Sequence, residues 1–158
     1  MTTTRLEIGQ QAPSFTLLDQ DATPIALSSL RGRKVILYFY PEADTPGCTT
    51  EACDFRNNLA TFGAASYTVY GVSRDDIPKL QKFAAVHGLS YPLLSDPDRK
   101  VHELYRVWGE KMLYGKTVVG VIRSTFVIDE EGLITLPLYN VKATGHVAAL
   151  KKKLGLTA

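Results

Sequence analysis

Residues 34–56 read KVILYFYPEADTPGCTTEACDFR, and this stretch decides the fold because it joins a buried strand to a helix. Its first seven residues, Lys34–Tyr40, are a nearly continuous apolar and aromatic run, typical of a central strand buried on both faces. A helical pattern begins at Pro46 and continues to about Phe62, and Thr45 before it is a favourable N-cap. The loop between strand and helix therefore lies at the carboxyl end of a central strand, where α/β folds gather their functional residues.

Both cysteines of the chain, Cys48 and Cys53, lie in this stretch, with four residues between them. They raise three alternatives: a stapled turn, half of a metal site, or a reactive thiol with a partner. The gap is too long for a C-x-x-C redox motif, and no second cysteine pair completes a zinc site. His87, His102 and His146 add no recognisable ligand pattern, and we expect them to be surface or capping residues.

Cys48 falls at the third position of the helix if Pro46 is the first. At this position the free backbone N–H groups and the positive end of the helix dipole favour a thiolate, and Gly47 leaves it accessible. That effect is worth at most roughly 2 kcal/mol, against about 8 kcal/mol or more for enzymes, so further groups are needed. Thr45 can supply a hydroxyl, and Arg123 is the best candidate for a cation. An arginine inside the apolar run VIRSTFVID is costly unless it is paired or used.

The position of Cys53 predicts a conformational change. Five residues along a helix advance the chain about 7.5 Å and rotate it about 140° around the axis. The two cysteine Cα atoms are then roughly 8.5 Å apart, beyond the limit of about 7 Å for a disulfide. A bond between Cys48 and Cys53 therefore requires the first turns of the helix to unwind.

The remaining sequence alternates strands with helices and predicts an α/β sandwich with a mixed sheet, formed by one domain over residues 1–158. We expect strands near residues 15–18, 24–27, 67–73, 91–94, 121–129 and 133–140, and helices near 76–87, 96–107 and 146–154. Residues 108–117 lack clear periodicity and are expected to form a surface loop.

Composition excludes several classes of function. The formal charge of +2 is too small to indicate a nucleic-acid or anionic-membrane partner. No apolar run approaches the roughly 20 residues that span a bilayer. The first residues show no signal-peptide pattern, so we expect a cytoplasmic protein. In that reducing compartment, paired cysteines are more often catalytic or redox-active than permanently bonded.

The stretch YFYPEADTPGCTTEACDFR strongly resembles the active-site segment of peroxiredoxins, in particular the bacterioferritin-comigratory or Q-type subfamily. The family pattern P-x-x-x-T-x-x-C corresponds here to Pro41, Thr45 and Cys48. The resemblance continues in GQQAPSFTL, in YGKTVVGVIRSTFVIDEEG and in ATGHVAALKKKL. It covers essentially the whole chain.

This resemblance implies a thioredoxin-like fold with an N-terminal β extension and a peroxidase that uses no metal or organic cofactor. Cys48 would be the peroxidatic cysteine, whose thiolate attacks the peroxide and becomes a sulfenic acid. Thr45 and Arg123 would hold the peroxide, and Pro41 would shield the pocket from water. Cys53 would be the resolving cysteine, which forms an intramolecular disulfide with Cys48.

The same resemblance implies hydrogen peroxide and organic hydroperoxides as substrates and thioredoxin or a similar dithiol as the reductant. Because the resolving cysteine is on the same chain, it also favours a monomer. Two other functions stay open: a thioredoxin-type protein disulfide oxidoreductase, and a redox-sensing module that signals oxidation to a partner. The cysteine spacing counts against the first of these.

Overall fold

A computed structural model of the protein describes residues 5–156. The strands are β1 (Thr16–Leu18), β2 (Pro24–Ala26), β3 (Lys34–Phe39), β4 (Tyr67–Ser73), β5 (Leu93–Ser95), β6 (Trp108–Leu113), β7 (Lys116–Val121), β8 (Ser124–Ile128) and β9 (Ile134–Leu138). The α-helices are α1 (Pro46–Asn57), α2 (Leu59–Ala64), α3 (Ile77–His87), α4 (Lys100–Leu104) and α5 (His146–Lys153). A short 3-10 helix covers Leu27–Leu30.

Seven strands form one mixed sheet in the order β2-β1-β5-β4-β3-β8-β9. Strands β3, β4 and β5 are parallel, whereas β8 and β9 close one side in antiparallel pairing. The short β1–β2 hairpin pairs with β5 and forms the expected N-terminal extension. The mixed α/β sheet predicted from the sequence is thus confirmed, with β3 next to its centre.

Two cores lie on the two faces of the sheet, and the side chains of β3 alternate between them. Ile36 and Tyr38 face the core that α1, α3 and α5 cover. Val35, Leu37 and Phe39 face the second core, to which α4 contributes. All five side chains are buried, which explains the continuous apolar run of this strand.

The prediction of a surface loop at residues 108–117 is wrong, because β6 and β7 pair there as a separate two-stranded sheet. The two residues that join them, Tyr114 and Gly115, both have positive φ, at 52° and 77°. Positive φ at both central positions is the geometry of a type I′ hairpin turn. A tyrosine at the first of them lacks the Asn-Gly or Asp-Gly signature, and this hides the hairpin in the sequence.

Other boundaries also differ from the predicted ones. The helix expected over residues 46–62 is divided at Asn58 into α1 and α2. Val121 ends β7, and the chain leaves the strands before β8 begins at Ser124, so Arg123 lies in a link between strands and not inside one. The helix expected after Asp76 is confirmed, since the Asp76 carboxylate accepts the Lys79 N–H and Gly88 ends the helix in the left-handed conformation.

Candidate active site

Cys48 lies in the first turn of α1, beside the side chain of Arg123. The residue is only 1% exposed, and its Sγ is 3.4 Å from Nη2 of Arg123. Pro46 is the first helical residue, so Cys48 occupies the third position, as predicted. The start of the helix and the guanidinium therefore both stabilise negative charge on the same sulfur atom.

Glu51 completes this cluster from the next turn of α1. Nη1 of Arg123 donates to Oε1 of Glu51 over 2.6 Å, and the glutamate side chain is fully buried. Its second oxygen, Oε2, has no hydrogen-bond partner among residues 5–156. Burial raises the pKa of Glu51 to about 7, although the positive charge of Arg123 acts in the opposite direction. Glu51 can therefore exchange a proton near neutral pH while it holds Arg123 in place.

The two partners of Arg123 also determine its own state. Burial alone would lower the pKa of Arg123, but the negative charges of Glu51 and of the Cys48 thiolate outweigh burial and raise it. Sequence reasoning did not identify Glu51. Its spacing of three residues from Cys48, which places both side chains on one face of the helix, is the signal that points to it.

Thr45 occupies the predicted N-cap position of α1, but its side chain does not cap the helix. Its hydroxyl donates to the carbonyl oxygen of Glu42 over 2.7 Å. The oxygen can still accept a hydrogen bond from a ligand. Gly47 lies between Thr45 and Cys48, and a Cβ added to it would lie 3.4 Å from Nη2 of Arg123. A side chain at this position would therefore touch the guanidinium next to the sulfur.

The loop that carries Pro41 and Thr45 is fixed by Asp75, which follows β4. Oδ2 of Asp75 accepts the backbone N–H of Ala43 over 2.7 Å and the hydroxyl of Ser73 over 2.8 Å. Pro41, partly buried, begins this loop at the end of β3. The carboxyl ends of two neighbouring parallel strands thus meet here. Asp75 is another residue that sequence reasoning missed, and its position after a buried strand is the available signal.

Cys53 lies one and a half turns further along the intact α1 helix and is partly exposed. Both cysteines are free thiols. In a regular helix their Cα atoms are roughly 8.5 Å apart, too far for a disulfide. The structure therefore brings Cys48 together with Arg123 and Glu51, and leaves Cys53 separate on the same helix.

A second cation, Lys111 of β6, lies near the cluster. Its Nζ donates to the carbonyl oxygen of Val121 over 2.7 Å. Burial lowers the pKa of Lys111, and the nearby charge of Arg123 lowers it further. A cleft of about 380 Å³ opens beside it, lined in part by Met112 and Ile122. Lys111 belongs to the segment that was expected to be an irregular loop, and for that reason the sequence did not point to it.

The expectation that the histidines are surface or capping residues is wrong for two of them. His102 is fully buried, with Nδ1 2.6 Å from Oδ2 of Asp96. His146 is 6% exposed, and its Nε2 lies 2.8 Å from the hydroxyl of Thr125. Burial lowers the pKa of His146 to about 4, and the charge of Arg123 acts in the same direction. His146 is therefore neutral at pH 7.

The residues between Arg5 and Leu156 offer neither a metal cluster nor a membrane-spanning helix. In that part of the chain, no group of three or more His, Cys, Asp or Glu side chains could hold a metal ion. The helices described there are all too short or too polar to cross a membrane.

Comparison with known proteins places these observations in context. The family model described as AhpC/TSA matches residues 8–136. A putative peroxiredoxin of Mycobacterium tuberculosis H37Rv is 56% identical over 154 residues, which cover 98% of this chain and 98% of that protein. Peroxiredoxin Bcp of Escherichia coli K12 is 43% identical over 141 residues, which cover 89% of this chain and 90% of that protein. A solved structure of Xanthomonas campestris peroxiredoxin Q aligns with a TM-score of 0.83 at 38% identity, over 89% of each chain.

Proposed function

The chain belongs to the AhpC/TSA family of peroxiredoxins, which makes it a thiol-dependent peroxidase with a thioredoxin-like fold, and we propose that Cys48 is its peroxidatic cysteine. The observation that carries this assignment is the 3.4 Å contact between Sγ of Cys48 and Nη2 of Arg123 at the start of α1. A thiolate needs such a cation, together with the helix dipole, to form inside a buried site.

In the first step, the Cys48 thiolate attacks one oxygen of the peroxide, and the O–O bond breaks. The sulfur loses two electrons and becomes a sulfenic acid, while the second oxygen leaves and takes up a proton as water or an alcohol. Negative charge develops on the leaving oxygen in the transition state. Arg123, held by Glu51, stabilises this charge.

Thr45 and Pro41 shape the place where the peroxide binds. The hydroxyl of Thr45 donates to Glu42, so its lone pairs remain free to accept a hydrogen bond from the O–H of the peroxide. Pro41 borders the same loop and limits the access of water to the sulfur. The proposed substrates are hydrogen peroxide and organic hydroperoxides, and the similarity to peroxiredoxins supports a peroxide as substrate.

In the second step, Cys53 resolves the sulfenic acid. The sulfur of Cys53 attacks the sulfur of Cys48, a disulfide forms, and the hydroxyl group leaves as water. Because the intact helix keeps the cysteines too far apart, its first turns unwind for this step. Thioredoxin or a similar dithiol then reduces the disulfide and restores both thiols.

Several broader properties follow from this scheme as part of the proposal. Residues 1–158 act as one domain without a metal or organic cofactor. The protein works as a monomer, since the resolving cysteine is on the same chain. It works in the cytoplasm. The small charge of +2 supports a function without a nucleic-acid or membrane partner.

A coupled assay with thioredoxin, thioredoxin reductase and NADPH tests the proposal. Rapid consumption of hydrogen peroxide and of an alkyl hydroperoxide is expected, with negligible reduction of insulin disulfides. Cys48→Ser is expected to abolish turnover because no other thiol lies beside Arg123. Retained turnover in this variant would overturn the assignment of Cys48. Insulin reduction without peroxide consumption would identify a disulfide oxidoreductase, and a single stoichiometric oxidation that no reductant reverses would identify a redox sensor.

A further inference from the structure

Helix α1 is attached to the protein unevenly along its length. Over residues 46–51, the side-chain hydrogen bonds to other elements within the described chain both come from Arg123, to Cys48 and Glu51. From Ala52 onward the attachments are different. Tyr91 donates to the Ala52 carbonyl, and Arg56 donates to the carbonyl of His87 over 2.6 Å. The boundary between the two halves falls between the two cysteines.

The attachment at Ala52 is the end of a directed chain of hydrogen bonds. Oη of Tyr91 is 2.9 Å from the carbonyl oxygen of Ala52, and Oη of Tyr38 is 2.7 Å from Oη of Tyr91. A carbonyl oxygen only accepts, so Tyr91 must give its proton to Ala52. Tyr38 must then donate to Tyr91. The order Tyr38 to Tyr91 to Ala52 is thus fixed by the chemistry of the three groups.

Both hydroxyl groups of this hydrogen-bond chain are buried and stay protonated near neutral pH. Tyr38 is fully buried and Tyr91 is 3% exposed. Burial raises the pKa of both tyrosines far above neutral pH, so both hydroxyls remain donors. The ring of Tyr38 also stacks on Phe55 of α1, with ring centres 4.4 Å apart and planes 21° apart. The half of α1 that contains Cys53 is therefore held by one hydrogen bond and one aromatic contact. Neither contact is made by Cys48, Glu51 or Arg123, which together form the reactive cluster.

We propose that Tyr91, supported by Tyr38, is a positioning residue for disulfide formation: it holds the Ala52–Cys53 end of α1 in place while residues 46–51 unwind, so that Cys48 moves to Cys53. This inference rests on the proposed function of the two cysteines. Unwinding of residues 46–51 does not break the hydrogen bond from Tyr91 to Ala52. The helical hydrogen bonds that break are accepted by the carbonyl groups of residues before Ala52. Cys53 thus stays a fixed target for the moving sulfenic acid.

The separation of the two halves is consistent with the chemistry. In the reduced state, Nη2 of Arg123 lies 3.4 Å from Sγ of Cys48, and this contact is charge-assisted in the thiolate form that the proposed mechanism uses. Once the sulfur is a neutral sulfenic acid, that contact loses most of its electrostatic part, while the contact from Tyr91 to Ala52 is unchanged. Oxidation therefore weakens the attachment of the first half only, and the disulfide forms with loss of one water molecule.

Single-turnover kinetics of Tyr91→Phe test the proposal. Oxidation of Cys48 by hydrogen peroxide is expected to keep its rate within about two-fold, because Tyr91 does not touch the reactive cluster. Formation of the 48–53 disulfide is expected to slow about five-fold, the factor that corresponds to one ordinary hydrogen bond of about 1 kcal/mol. A wild-type rate of disulfide formation, or a faster one, would overturn the proposal.

Tyr38→Phe is the matched control. It also removes one buried hydroxyl from the same pair, but it leaves the bond from Tyr91 to Ala52 intact. Its disulfide is expected to form at nearly the wild-type rate. The double variant lacks both hydroxyls and so has no unpaired buried donor, and we expect it to be as slow as Tyr91→Phe. If the disulfide forms slowly in Tyr38→Phe, where the hydrogen bond from Tyr91 to Ala52 is kept, general loosening of the core and not this bond sets the rate. That result would contradict the proposal.

Amide hydrogen exchange of the oxidised proteins separates a positioning role from a purely structural one. In the wild type, faster exchange is expected over residues 49–55, whose N–H groups donate to the carbonyl groups of residues 45–51 in the intact helix, and unchanged exchange is expected at residues 56 and 57. In Tyr91→Phe the faster exchange is expected to extend to residues 56 and 57, whereas confinement to residues 49–55 would contradict the proposal. If the wild type itself forms no 48–53 disulfide, the proposed function fails; if it does and Tyr91→Phe matches it in both measurements, only this inference fails.

Discussion

The sulfur of Cys48 lies where contributions from the backbone and from a side chain coincide. The helix start supplies free N–H groups, and Arg123 supplies a full positive charge 3.4 Å away. Glu51 partly neutralises that charge, and it fixes the orientation of the guanidinium group by accepting a buried hydrogen bond from it. Reactivity at this residue therefore depends on a group of three side chains, of which the sequence pointed to two.

Glu51→Gln tests the third member. The amide keeps the shape of the carboxylate but loses the charge-assisted bond to Arg123. Because the pKa of Glu51 is about 7, the wild-type side chain is mostly ionised at pH 8 and mostly protonated at pH 6. The rate constant of Cys48 oxidation is measured by stopped flow. In the variant it is expected to be about 10-fold below the wild-type value at pH 8, and to stay within about two-fold of the wild-type value at pH 6. Glu103→Gln, on the exposed side of α4, is the control, and an equal loss at both pH values would contradict the role of the Glu51 charge.

Cys53→Ser tests the resolving residue. This variant is expected to consume one equivalent of peroxide and to accumulate the sulfenic acid of Cys48, which a second equivalent over-oxidises, because no second thiol in the chain can attack it. Added small thiol is expected to restore turnover. Peroxide titration and intact mass measure both outcomes. Sustained turnover with thioredoxin alone would show that Cys53 is dispensable.

At the scale of single residues, sequence reasoning reached the groups that carry an unusual pattern. Thr45, Cys48 and Arg123 stand out because of helix-start chemistry and a charge in an apolar run. His146 and Glu51 did not, because each is identified by a partner distant in sequence: Thr125 of β8 for His146, and Arg123 in the link between β7 and β8 for Glu51.

Among the elements, β3, β4 and α1 place the site. Strands β3 and β4 are parallel, so the loop after β3 and Asp75 after β4 meet at one edge of the sheet. The strand assignments at β3 and β4 could be predicted because both are largely apolar, β-branched and aromatic runs. The β6–β7 hairpin could not, since its turn uses Tyr114 in a left-handed conformation that sequence rules assign to Asn or Gly.

Gly71 in β4 leaves the space that the ring of Tyr38 occupies. A Cβ at position 71 would lie 3.0 Å from Cζ and Oη of Tyr38 and 3.1 Å from a methyl group of Leu93. Gly71→Ala is therefore expected to lower the free energy of unfolding by about 1–3 kcal/mol, measured by urea denaturation. Gly63→Ala in α2 is the control, because nothing lies within 4 Å of its added Cβ, and it is expected to stabilise by about 0.5–1 kcal/mol. An unchanged stability of Gly71→Ala would show that the sheet yields easily there.

For the whole molecule, two buried groups give opposite dependences of stability on pH. The pKa of His146 is lowered from 6.5 to about 4, so the unfolded chain binds more protons between these values, and stability falls as the pH falls. The pKa of Glu51 is raised from 4.5 to about 7, so the folded chain binds more protons there, and stability falls as the pH rises. From pH 4.5 to 6.5 the two contributions largely cancel.

Removal of either group is expected to reveal the other. Glu51→Gln should lose stability, relative to the wild type, as the pH falls from 6.5 to 4.5. His146→Gln should show the opposite trend, and each slope is at most about 1.4 kcal/mol per pH unit. Urea denaturation at several pH values measures the free energies of unfolding. Curves that stay parallel to the wild type in both variants would contradict the buried states of these groups.

The most direct test of the central claim is peptide mass spectrometry of the protein after one equivalent of hydrogen peroxide, with free thiols blocked. The proposed mechanism predicts a single disulfide between Cys48 and Cys53 within one chain, in a monomeric protein. This bond can form only if the start of α1 unwinds, so its presence also supports the conformational change. A disulfide-linked dimer, or an oxidised Cys48 beside a free Cys53 thiol, would contradict it.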